Sequence, residues 1–312
     1  MYDTIIIGAG PAGFTAGIYA ARREMKALIF GREIGGQVAW ASEIENYPGF
    51  KNIQSFDLIM RMQEQVKDLG VEIKNTEVIK IEKNTDGTFM VFTNKDIFQS
   101  KTIVIAMGLI PRKLNIPGEA QFLGRGVTYC ANCDGPFYKN RTVAVVGGGN
   151  AALDAAEVLS KIAKKVYLIH RNDQFKAFDI LVDEVKKIEN IEMLTFCETR
   201  EILGDKKVEK IKVFNSQTNK EREIEIDGIF IEIGRVANTE LVKDLVERDA
   251  GNHILVNERC ATKTPGVFAG GDVTQVPYKQ ISIAIGQGTI AALSAYQYLQ
   301  LKEGNNNTPP NS

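Results

Sequence analysis

The pattern of apolar and polar positions repeats along the chain. Residues 5–7 form a short apolar strand, followed by a glycine-rich turn, a helical pattern from residue 12 to about residue 23, and a second apolar strand at 27–30. The order restarts at Thr142, with a strand at 143–146, a second glycine-rich turn, a helix to about residue 162 and a strand at 166–169. Alternating segments, the mark of half-buried strands, follow each unit at 78–81 and 88–92, then at 208–213 and 222–226. Each half then reaches an apolar strand that closes on glycine: IVIAMG at Gly108 and IFIEIG at Gly234.

The repeat predicts an α/β chain of two Rossmann-like, three-layer nucleotide-binding domains. A third strand–glycine–helix pattern lies downstream, with a strand at 267–269, then Gly270, Gly271 and Asp272, then a helix over about 280–299. If that segment completes the first domain, the second is inserted within it. The expected bounds are 1–112 with 240–304, then 113–239, with a polar, disordered tail at 305–312.

Composition narrows the class. A chain of 312 residues suggests about two domains, and 44% hydrophobic with 25% charged residues is a globular composition. A net charge of -1 gives no global field for nucleic acid or an anionic membrane. Residues 4–21 carry no charge, but Gly8, Gly10, Pro11, Gly13 and Gly17 interrupt them, so they read as strand, turn and helix and not as a membrane span. Asp3 stands where a signal peptide would be basic. Four cysteines are too few for a disulfide scaffold and suit a reducing cytoplasm, and two histidines, His170 and His253, argue against a multi-histidine metal site.

The candidate chemistry sits at the turns. In G-A-G-P-A-G, Gly8 permits the tight turn, Gly10 lets backbone approach a pyrophosphate and Gly13 lets helix pack on strand, with free helix N–H groups toward phosphate. In G-G-G-N-A-A, Gly147, Gly149 and Ala152 hold the same positions. Asp272, after the third strand, is placed to hold a ribityl hydroxyl. Just before the second turn, Cys130 and Cys133 form a C-x-x-C able to close a small disulfide, and Asp134 beside it could move a proton to or from a departing thiolate. Half a zinc site and an inert thiol pair are the competing readings. Cys197, in the strand-like run 193–197, reads as core.

These motifs resemble the low-molecular-weight thioredoxin reductases, from Asp3 to about Leu301. The matching stretches are GAGPAGFTAGIYAAR, GGQVAWASEIENYPGF, PRKLNIPGE, GVTYCANCDGPFYKNRTVAVVGGGNAALDAAEVL and TPGVFAGGDVTQVPYKQISIAIGQGTIAA. The resemblance implies FAD in the outer domain, with its pyrophosphate on Gly8, Gly10, Pro11, Ala12 and Gly13. Further FAD contacts would fall on Phe30, Gly31, Glu33, Gly36, Gln37 and Asn46, and on Gly271, Asp272, Lys279, Gln280 and Ile281. It implies NADPH or NADH in the inserted domain, at Gly147, Gly149, Asn150, Ala151, His170, Arg171 and Lys176. It makes Cys133 the sulfur near the flavin, Cys130 the attacking sulfur and Asp134 the acid–base residue. The partner would be a disulfide of a thioredoxin or glutaredoxin-like protein, the assembly a homodimer, and hinges are expected at 112–118 and 235–239.

One motif departs from the family. Its phosphate-reading H-R-R-x-x-x-R is here His170-Arg171-Asn172-Asp173-Gln174-Phe175-Lys176. Asparagine carries no charge and lysine lacks the bidentate fork, a loss of about 1.5–3 kcal/mol per contact. The acidic residue expected for NAD is missing too. NADPH, NADH and a different donor such as ferredoxin therefore stay open. So do a flavin dithiol oxidase and a catalytically silent flavin-binding protein.

Overall fold

The computed structural model describes residues 1–40, 43–302 and 304, so the tail expected at 305–312 lies outside the described residues. The chain divides into two compact units, 1–110 with 236–312, and 111–235. The sequence had put the crossings at 112/113 and 239/240.

The first unit opens with β1 (Tyr2–Ile7), α1 (Pro11–Arg22) and β2 (Ala27–Phe30). A short ribbon follows, β3 (Glu43–Ile44) against β4 (Ile53–Gln54), then α2 (Ser55–Asp68) and β5 (Glu72–Lys74). The meander is β6 (Val78–Lys83), β7 (Phe89–Thr93) and β8 (Ile97–Ile105). Strand order is β5-β2-β1-β8-β7-β6. The nine-residue β8 is shared: its first part pairs antiparallel with β7, while all of β1 runs parallel to its later part. Alternation divides β1 between two cores. Ile6 joins the helix-covered face with Phe14 and Leu58, and Ile5 and Ile7 join the opposite face with Phe89 and Val91.

The first crossing carries β9 (Ile110–Pro111). The second unit then runs β10 (Val127–Thr128), α3 (Ala131–Asp134), β11 (Thr142–Val146), α4 (Asn150–Ser160), β12 (Lys165–Ile169), α5 (Asp179–Lys186) and β13 (Ile191–Leu194). Next come β14 (Cys197–Gly204), β15 (Val208–Asn215), β16 (Lys220–Glu225), β17 (Gly228–Ile231) and, at the second crossing, β18 (Arg235–Val236). A parallel sheet β10-β17-β11-β12-β13 packs α4 on one face and the separate sheet β14-β15-β16 on the other.

The two halves thus differ where their patterns look alike. In the first, the meander continues through β8 into the parallel sheet. In the second, Asp227 interrupts: its N–H donates to the Thr142 carbonyl, and its carboxylate accepts the Thr142 N–H at 3.0 Å. Strand β16 ends there, and Gly228 begins β17 against Tyr138, whose ring leaves no room for a side chain. The run 193–197, read as one strand, also splits. Phe196 takes a φ of 55° between β13 and β14, which sends Cys197 into the other sheet of the unit.

The chain returns to the first unit with β19 (Val267–Ala269), parallel to the end of β8, and α6 (Ile281–Lys302), packed on α1. No described helix is long and apolar enough to cross a membrane.

Candidate active site

In the first unit the two predicted halves of one cradle meet. Gly8 has a φ of 121°, and a Cβ there would lie 2.1 Å from the Ala106 carbonyl oxygen, so only glycine lets β1 turn beside β8. A Cβ at Gly13 would lie 1.8 Å from the Gly8 oxygen, which sets α1 directly on the turn. Gly10 caps α1, Pro11 opens it, and the cap residue offers no side chain to the first N–H groups. A Cβ at Gly10 would meet nothing closer than the Gly35 oxygen at 3.8 Å, so the mouth of the turn is open.

The C-terminal segment closes on this turn. Gly271 sits beside Ala12, and Gly288 of α6 sits against the Ala12 carbonyl. Gln37 donates to Asp272 at 3.2 Å, and Asn46 donates to Gln280 at 3.2 Å, joining residues more than two hundred positions apart. Lys279 donates to the carbonyls of Asp272 and Thr274, and burial holds its ammonium below the usual lysine range. Ile281 begins α6, and Glu33 stands exposed beyond β2. Gln287, which sequence reasoning missed, accepts from the Gly271 N–H and the Thr274 hydroxyl and fixes the Gly-Gly-Asp turn. Its only signal was a polar residue in an otherwise small-residue helix face.

Phe30 does not offer its side chain here. It is 1% exposed and packs edge-on to Phe98 at 5.0 Å, so only its backbone is free for a ligand, and its carbonyl takes the Gly8 N–H. Gly31 lies against Ala9, where a Cβ would come within 2.3 Å of the Ala9 methyl.

The second unit repeats the turn with its partners exchanged. Gly149 caps α4 in the same extended conformation as Gly10, again with no side-chain cap. At the place of Ala9 stands Gly148, and at the place of Gly31 stands His170, whose ring lies where a Gly148 side chain would be, 2.1 Å from its Cβ position. His170 is 8% exposed, stacks on Phe175 and shares a 3.0 Å hydrogen bond between Nε2 and the Gln174 carbonyl. Burial pushes its imidazole below the ordinary 6.5. The residue that the family motif implies reads the phosphate thus packs its ring on Gly148 and Phe175. Arg171 and Lys176 are exposed, and the Lys176 N–H donates to the Gly148 carbonyl. Asn150 accepts the Phe178 N–H at 2.9 Å, and Ala151 is exposed at the first turn of α4.

Ahead of this turn lies the redox pair. Cys130 and Cys133 form a disulfide, with Cα atoms 5.4 Å apart. The Cys133 N–H points at Cys130 Sγ at 3.1 Å. Thr128, buried and missed by the sequence reading, donates its hydroxyl to Asp134 and accepts the Cys130 N–H at 3.2 Å. It holds acid and sulfur in one frame. Tyr129 donates to Glu119 at 2.8 Å, and this buried carboxylate also accepts the N–H groups of Leu114 and Asn115. Gly118 is wedged against the Ile202 carbonyl. Residues 114–118, part of the hinge expected at 112–118, are thus held within the second unit. Cys197 and Cys260 are buried, and burial pushes the Cys260 thiol up to about 11.

Two nucleotide-type turns and a cysteine pair in one chain are matched by the sequence profile of the pyridine nucleotide-disulphide oxidoreductases over residues 2–288. The chain belongs to that family. It is 39% identical to the thioredoxin reductase of Borreliella burgdorferi, covering 96% of this chain and 92% of that one. The crystal structure of Lactococcus lactis thioredoxin reductase superposes with a TM-score of 0.86 at 40% identity, covering 96% of this chain and 99% of that one. The chain spans only 58% of the NADH dehydrogenase of Bacillus subtilis, to which it is 35% identical over 96% of its own length. A ferredoxin-flavin thioredoxin reductase from Clostridium acetobutylicum is 34% identical, with a TM-score of 0.53 and coverage of 96% and 98%.

FAD and NAD(P)H are the cofactors this family implies, and the residues present fit them. Both α1 and α4 begin behind a glycine with no side-chain cap, and at Gly149 a Cβ would meet only the Lys176 oxygen, at 3.8 Å.

Proposed function

We propose that the chain is a thioredoxin-disulfide reductase that passes electrons from a reduced nicotinamide through FAD and the Cys130–Cys133 pair to a thioredoxin or glutaredoxin-like protein. The observation that carries the reading is the Cys130–Cys133 disulfide with Asp134 held by Thr128, in the unit that also bears the second nucleotide turn.

The first unit binds FAD with its pyrophosphate at the N-terminus of α1, on Gly10, Pro11 and Ala12, while Asp272, oriented by Gln37, takes a hydroxyl of the ribityl chain. Bound FAD supplies the conversion of a hydride into two transferable electrons. The second unit binds the nicotinamide dinucleotide at the N-terminus of α4. In the dithiol, Cys130 attacks the partner disulfide, Cys133 resolves the mixed disulfide, and Asp134 carries the proton. The family likeness extends the reading to a homodimer in a reducing cytoplasm.

With His170 packed on Gly148 and Asn172 uncharged, Arg171 and Lys176 are the cations left near the end of β12 for a 2′-phosphate. That supports weak discrimination between NADPH and NADH. Anaerobic mixing with each nucleotide, followed at the flavin absorbance, tests it. Fast bleaching by both at similar concentrations supports the reading. No bleaching by either, with dithionite reduction intact, removes the nicotinamide from the mechanism and favours a donor such as ferredoxin.

A further inference from the structure

Strand β17 ends beside the redox pair, and its next residue carries a carboxyl that the mechanism above does not use. The Glu232 N–H continues the sheet by donating to the Val146 carbonyl at 2.8 Å. Its carbonyl abuts Gly147, where a Cβ would lie 2.3 Å away. The residue is thereby clamped between β11 and the nucleotide turn. Parallel pairing of Thr128 with Phe230 brings Glu232, two residues beyond Phe230, level with Cys130, and the N–H of Ala131, the first residue of α3, stabilises its carboxylate.

We infer that Glu232 is a positioning and proton-holding residue for the Cys130–Cys133 pair: it fixes the peptide that follows Cys130 and takes up a proton when the disulfide is reduced. The inference rests on the proposed redox role of that pair.

The step balances. Two electrons, delivered through the flavin, break the S–S bond. One sulfur takes a proton and becomes a thiol, and the other stays a thiolate. The second proton goes to the Glu232 carboxylate, because a new negative charge one peptide away raises its proton affinity. Reoxidation by the partner disulfide returns both protons. Burial already pushes this carboxyl from 4.5 up to about 7, so it exchanges a proton in the neutral range.

The surrounding groups leave this role to Glu232. Arg235 lies on its own segment and pulls the carboxyl down, less strongly than burial raises it. From α3 the facing acid is Asp134, held by Thr128. Just beyond β10 stands Tyr129, bonded to Glu119. The turn after β11 has no titratable side chain between Gly147 and Ala152, and behind it His170 is held below its ordinary range and bonded to the Gln174 carbonyl.

The test uses the holoenzyme and its Glu232→Gln variant, which keeps an acceptor for the Ala131 N–H and loses the proton. Both are equilibrated in dithiothreitol redox buffers from about pH 6 to 8, and the dithiol fraction is read by alkylation. If reduction raises the proton affinity of Glu232 tenfold, the wild-type reduction equilibrium, taken relative to the variant, falls about fivefold across that range. Equal pH dependence in the two proteins overturns the inference while leaving the redox pair intact. A pair that does not cycle in the wild type overturns both readings. Infrared difference spectra of wild type and Asp134→Asn give a check that needs no Glu232 variant: a protonated-carboxyl band gained on reduction in both supports Glu232, and its absence from both excludes it.

Discussion

The exchanged partners at the two glycine turns yield a sharp stability prediction, read from Gly148→Ala. Gly148 is not in the left-handed region, so alanine meets no backbone penalty there. The whole cost must come from the new methyl, placed 2.1 Å from His170 Cε1 and 2.2 Å from Nδ1. Ordinary contact needs more than a further ångström. The ring cannot easily supply it, being 8% exposed, stacked on Phe175 at 4.9 Å and bonded to the Gln174 carbonyl. Overpacking of this kind costs about 1–3 kcal/mol. In the double variant Gly148→Ala with His170→Gly, the pair becomes the Ala9–Gly31 pair of the first unit, and the alanine should then cost almost nothing. The cycle therefore predicts a coupling of about 1–3 kcal/mol between the two sites. Native-state hydrogen exchange at the β11 and β12 amides reads it locally, which suits a chain of two compact units better than one global transition. An alanine penalty of the same size with and without His170 would refute the argument.

Three further outcomes follow. Cys133→Ser should still allow the flavin to be bleached by the nicotinamide but abolish reduction of a protein disulfide, checked by stopped flow beside a turnover assay. Because burial holds the folded His170 below 6.5, the unfolded chain binds more protons, so stability of the second unit is full above 6.5 and is lost as pH falls toward the folded value. Urea midpoints should drop across that window in the wild type and drop less in His170→Asn. Asn172→Arg should restore one charge-assisted phosphate contact, worth about 1.5–3 kcal/mol, lowering KM for NADPH by roughly 10- to 100-fold with KM for NADH unchanged. Equal gains for both nucleotides would show that the site does not read the phosphate there.

What the sequence determined by itself is the repeat and its local chemistry. Apolar triplets before Gly-x-Gly can form little but a buried strand and a turn, since the spacing of branched apolar residues and the glycine conformations are local properties. The edges of β2 and β19 were legible for that reason. So was the cysteine pair, because three residues of separation suffice to bring the sulfurs together. Tertiary structure decided everything that depends on contacts across the chain. Only there does Gln37 meet Asp272, or Gln287 tie the Gly271 turn. Only there does His170, a phosphate reader by its motif, become the ring that fills the place of a missing Gly148 side chain. Thr128, Glu119 and Glu232 show no role in the sequence, and each matters through hydrogen bonds to groups that folding places beside it. The separate second sheet was hidden as well, since the alternation of 208–213 matches that of 78–81 in kind. What parts them is Asp227, which captures the start of β11 and breaks the strand that β8 carries through without interruption.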